Sequence, residues 1–218
     1  MFGLKKLIFG EAAPEQLPSD VETALAAWRA SKAPSLESGH FQTRYLVVDI
    51  ATRGEGASNA MSGIAAAAVH RGRITPADAL YIDFAETAEV TVERQLLAFL
   101  HYTAKAPLVT YHAPYVSGFL QSAGKTCLGV NFQPQWIDLA WLLPIFFGVR
   151  GDAVQPLDYW LKKFSLNPGS GRRDTMENTL LLARLLQITL AKATRKGIDS
   201  AAALIAESRA SSLLGHIG

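Results

Sequence analysis

A single cysteine, Cys127, stands in the 218 residues, so no internal disulfide forms and the fold does not depend on oxidising conditions. A cytoplasmic protein is the plain expectation. Long apolar runs are missing as well. The longest, "LAWLLPIFFGV", is broken by proline and too short to cross a bilayer, so no membrane span is expected. Net charge is scarce too: +2 at pH 7 does not announce a nucleic-acid binder. The opening "MFGLKKLIFGEAAPEQLP" holds neither a long apolar segment nor a small-residue cleavage site. It reads as a lead to the fold, with an amphipathic docking segment for another protein as the alternative. Internal repeats are absent.

What is there suits a globular chain: 49% apolar and 18% charged residues, enough to bury a sizeable core as one domain with extra elements. The charge is spread unevenly. From Tyr159 to Ile198 eight basic residues (Lys162, Lys163, Arg172, Arg173, Arg184, Lys192, Arg195, Lys196) face only Asp174 and Glu177. Either this is a solvated helix face or it is a surface for phosphates.

Periodicity and punctuation give an order of elements. Ser19 to Glu22 has the spacing of a capping box and opens a helix to about Ala30. Three strand candidates follow, "RYLVVDI", "SGIAAAAVHRG" and "ALYIDFAE", the last two joined by a hairpin at "GRI". A helix runs from Thr91 with Leu96, Leu97 and Leu100 on one face. "APLVTYH" is a short buried strand and "APYVSGFLQSAG" a helix closed by Gly124. "QPQWIDLAWLLPIFF" is a strand ending near Asp138 and then a helix; "PLDYWLKKF" is a short helix with proline in its first turn. After the glycine-rich "NPGSGRR" come a long helix from Asp174 to about Lys196 and a last one in "SAAALIAESRASSLL". Strands first, then strands alternating with helices, predict an α/β fold with a mixed sheet and helices on its faces.

The words "YLVVDIATRG", "GIAAAAVHRGRI", "PLVTYHAPYVSGFL", "WIDLAWLLP" and "RDTMENTLLLARLL" occur in the order and near the spacing of a known family. From Arg44 to Ala193 the chain resembles the DEDDh-type 3′–5′ exonucleases, the group of the epsilon subunit of bacterial DNA polymerase III and of RNase T. The resemblance implies a ribonuclease H-like domain over residues 43–196 with a mixed five-stranded sheet. An N-terminal lead and helix would fill residues 1–42, and a helical extension residues 197–218.

Such enzymes, as the resemblance implies, hold two divalent metals with four carboxylates and use a histidine as general base. Two Mg²⁺ ions about 4 Å apart clamp the attacking water and the leaving oxygen. Anionic oxygens must hold the cations together against their repulsion. Of the five catalytic positions only Asp49 matches. Ala51 stands for the glutamate, Val116 for the second aspartate, Arg173 for the histidine and Asn178 for the final aspartate. "YIDFAETAEVTVERQ" is also too short for the family's His-Gly-Ile loop.

The expectation is therefore a non-catalytic homologue, without a cofactor, that binds single-stranded nucleic acid or a protein partner. An active exonuclease using Mg²⁺ or Mn²⁺ with substituted ligands is one alternative, and a purely structural or assembly protein another. Asp49 alone would hold a metal weakly, if at all. Arg173 either pairs with Asp49 where metals once sat or, with Arg172, grips a phosphate. His112 reads as a cleft or helix-entry residue and a nucleic-acid contact. Asp174 and Glu177 read as an acidic capping box, Asp138 as a helix cap, and Trp136, Trp141 and Trp160 as core.

Overall fold

The computed structural model describes residues 16–56, 59–84, 90–148, 154–166 and 173–214. Most of the N-terminal lead, the "NPGSG" loop and Arg172 lie outside them. The described residues form an α/β fold: one five-stranded mixed sheet and seven helices. Strands β1 (Tyr45–Arg53), β2 (Ala60–His70) and β3 (Arg73–Asp83) make an antiparallel meander. Strands β4 (Leu108–Thr110) and β5 (Trp136–Asp138) add to it in parallel on the other side of β1. The sheet order is β3-β2-β1-β4-β5.

Helix α1 (Ser19–Ala30) precedes the sheet, and α2 (Val92–Thr103) and α3 (Ala113–Leu128) flank β4 in sequence. After β5 come α4 (Leu139–Phe147), α5 (Leu157–Lys163), α6 (Thr175–Arg195) and α7 (Ala201–Leu214).

Strand alternation builds two cores. Leu46, Val48 and Ile50 point to one face and pack with α1, α2 and α3. Tyr45 and Val47 point to the other, with Leu182, Leu185 and Leu186 of α6 and Leu204 of α7. Both faces of β1 are covered, which is why its sequence is apolar at consecutive positions and not alternating. Helix α4 is apolar nearly all round for the same reason: Leu139, Ala140, Leu142, Leu143 and Phe146 are buried. Helix α6 lies across β1 and β2, and α7 covers β5 at the sheet edge.

Several local expectations hold in the structure, and others fail for identifiable reasons. Arg71 and Gly72, both at positive φ, form the tight β2–β3 turn expected at "GRI". Asp174 caps α6, its carboxylate accepting from the Glu177 backbone N–H at 2.7 Å. The capping box at Ser19 does not form: Pro18 is the N-cap and Ser19 the first helical residue, while Asp20 in the first turn pairs with Arg94. Pro156 likewise sits at the N-cap of α5, one position before the first turn.

Gly124 does not close α3. The helix runs one more turn to Gly129, which takes the left-handed cap. Gly124 serves packing: a Cβ there would meet the Val130 carbonyl oxygen at 3.2 Å and Phe132 at 3.3 Å.

Gly63 is under tighter constraint. It lies opposite Ala51 in the sheet, and a Cβ would stand 2.8 Å from the Ile82 carbonyl oxygen. That oxygen is backbone of the neighbouring strand and cannot swing aside. Gly63→Ala should therefore lower unfolding stability by about 1–3 kcal/mol in urea denaturation, with an unchanged denaturant slope.

Candidate functional site

Asp49 continues the odd-numbered side of β1 and so faces α6 near that helix's first turn. It is half-buried. Its carboxylate accepts from the Ile50 backbone N–H at 2.9 Å and from the side chain of Asn178. The Asn178 amide oxygen, in turn, accepts from Arg173 Nε at 2.8 Å. An amide has one acceptor and two donors, so Asn178 spends its oxygen on Arg173 and its NH₂ on Asp49. The other end of the Arg173 guanidinium is ion-paired to Asp158 of α5. A chain of polar contacts thus runs Asp49–Asn178–Arg173–Asp158 and ties β1, α6 and α5 together.

Three of the five candidate positions therefore meet, but not as expected. Arg173 does not pair with Asp49; Asn178 stands between them, and the carboxylate partner is Asp158. Val116 is 1% exposed and belongs to the same buried cluster as Val48, Ile50 and Leu120. It packs in the core on the opposite sheet face from Asp49. Ala51 follows Asp49 on its face, next to Gly63, and a register shift in β1 comes immediately after it. Asp83 continues the row Ala51–Gly63 on β3. Two strand spacings, roughly 10 Å, leave it too far away to act beside Ala51.

A metal pair does not fit these residues. A methyl group at 51, an isopropyl group at 116, a guanidinium at 173 and an amide at 178 bring no anionic oxygen to Asp49. Among the described residues, no group of three or more His, Cys, Asp or Glu side chains is placed to hold a metal ion.

Beside this chain lies a second set of contacts. His112 takes a left-handed conformation as the N-cap of α3, with its ring exposed and edge-on to Tyr111. Its backbone N–H and that of Ala113 donate to Asp138 at 2.9 and 2.8 Å. Asp138 also caps α4 through the Ala140 N–H at 3.0 Å. Its own N–H donates to Ser208 Oγ of α7 at 2.9 Å. The helix-cap reading of Asp138 holds, and the residue does more than cap one helix. Tyr115, next to Val116, is half exposed and reaches Asn59 at 3.1 Å and Thr52 at 3.3 Å across the end of β1.

The three tryptophans divide. Trp160 is fully buried, as expected of core; Trp136 and Trp141 are only partly buried and line a surface pocket. Asp158 carried no signal in the sequence, because only the packing of α5 against α6 brings it to Arg173.

No family model and no curated protein matches this chain.

Burial pushes the Asp49 carboxyl above its ordinary value, with the Ile50 N–H and Asn178 opposing. A carboxyl raised in the folded state favours the protonated fold, so its contribution is best in acid and is lost as pH rises through the folded value. Asp49→Asn keeps an acceptor for both donors and removes the charge. It should raise stability at pH 7 in chemical denaturation, with the gain shrinking as pH falls toward 3.8. Asp138→Ala strands three backbone N–H groups of a buried site and should cost about 3 kcal/mol or more, read as a lowered Tm.

Proposed function

We propose that this chain is a ribonuclease H-like, exonuclease-fold protein of the DNA polymerase III epsilon type that no longer cleaves by a two-metal mechanism. In this reading it binds single-stranded nucleic acid along a basic face of α5 and α6. The observation that carries the loss of catalysis is the Asp49–Asn178–Arg173–Asp158 chain, which fills the candidate site with neutral and cationic groups. The sheet order β3-β2-β1-β4-β5, with the helix after it bringing position 178 to Asp49, supports the family resemblance of the sequence words.

The basic face supports the binding reading. Lys162, Lys163, Arg184, Arg195 and Lys196 are exposed, and none pairs with a carboxylate among the described residues. At 100° per residue, Arg184 and Arg195 fall within about 20° of one another around α6. Cations left without counter-charges on one side of a helix release counterions when phosphates bind. The ring of Trp160 lies beneath Lys163, so that cation rests on a rigid wall of the core.

Fluorescence anisotropy with a labelled oligothymidylate tests this. Binding should weaken steeply with salt, and the double variant Arg184→Gln/Arg195→Gln should lower the log–log slope by about 1.4, two single-strand phosphate contacts. No binding at low salt, or binding indifferent to salt and to both arginines, would leave an assembly role in its place.

A further inference from the structure

Two strands away from Asp49, on the far side of β4, the structure holds a pocket of about 380 Å³. It opens between the first turn of α3, strand β5 and helices α4 and α7. Trp136 and Trp141 line it together with Ser117, Ser212 and Arg209, and Asp138 stands at its floor. We infer that this is a binding site for a small planar aromatic ring carrying a carboxylate or phosphate.

The ring follows from the two partly buried indoles, rigid apolar surfaces whose faces take another ring by offset or edge-on stacking. Their partial exposure sets them apart from Trp160, which is wholly in the core. The volume lies within the range of small-molecule pockets and admits one ring system, not a folded polypeptide.

The negative group follows from the local charge. Arg209 is exposed on α7 and holds Gln135 by one N–H at 2.6 Å, which fixes the guanidinium at the pocket and leaves the rest of its donor fork. The charge of Asp138 at the floor is partly offset by the backbone N–H groups of His112, Ala113 and Ala140, which donate to its carboxylate. The Ser117 and Ser212 hydroxyls at the rim donate to the Pro114 and Arg209 carbonyls, so the charge recognition rests on Arg209.

Two sources share this chemistry, a nucleoside monophosphate and an aromatic acid. Calorimetric titration of the full chain with adenosine 5′-monophosphate and with indole-3-carboxylate separates them. At least one should bind saturably with Kd below about 1 mM, and whichever binds more tightly assigns the source. Uncharged adenosine or indole should bind at least about tenfold more weakly than the corresponding anion.

Arg209→Gln should bring the anion down to the uncharged level, and Trp141→Leu should abolish saturation. Arg209 is exposed, so its variant reads binding even if the tryptophan variant fails to fold. Absence of saturable binding by both probes would overturn the inference. So would binding that Arg209→Gln leaves unchanged.

Discussion

The carboxylate of Asp138 is the constraint on which the architecture turns. It closes β5, starts α4, and reaches across to the two backbone N–H groups at the entry to α3. His112 can hold its left-handed conformation because the peptide groups on either side of the turn are tied down. A buried anion surrounded by three N–H donors and the positive ends of two helices is compensated without a cationic side chain. Ser208 then fastens the terminal helix to the same residue. One side chain sets the relative placement of β4, β5, α3, α4 and α7, and thereby the pocket between them.

The contacts around Asp49 follow another logic. A two-metal site is a device for collecting negative charge, and unless cations arrive it destabilises its own fold. In the proposed reading that charge is absent: methyl and isopropyl side chains stand at 51 and 116, and an amide at 178 donates to Asp49. The Arg173 charge is matched outside the site by Asp158, whose side chain is 71% exposed. Because the Asp158 end of that pair is open to water, its worth lies in orienting Asn178 more than in Coulomb energy. Asp at position 116 would not bring a carboxylate to Asp49, since that side chain points into the core beneath β1 and would be buried there unpaired.

Much of this was legible in the sequence, and the failures are instructive. Strands and helices announced themselves because their periods are short-range properties: "YLVVDI" is buried on both faces, and "RDTMEN" carries its own cap. Asp138 was readable as a cap because Ala140 lies two residues away. Its reach to His112 was not, because 26 residues separate them. Gly124 misled because glycine signals both helix ends and close approach, and only the fold shows Val130 and Phe132 pressed against it. Ser19 misled because the helix starts one residue earlier, with Pro18 as its N-cap, which puts Ser19 inside the first turn. That Ala51, Val116, Arg173 and Asn178 bring no carboxylate could be read from the sequence; the contacts they make could not, since Asp158 enters only through the packing of α5 on α6.

The central claim is that Asp49 does not serve metal-dependent cleavage. Degradation of 3′-labelled single-stranded DNA and RNA in Mg²⁺ or Mn²⁺, with Asp49→Ala alongside, tests it most directly. The account predicts no mononucleotide release that depends on both the metal and Asp49. Metal-dependent release by the parent chain that vanishes in Asp49→Ala would contradict it, because the polar chain around Asn178 would then have to open and admit cations.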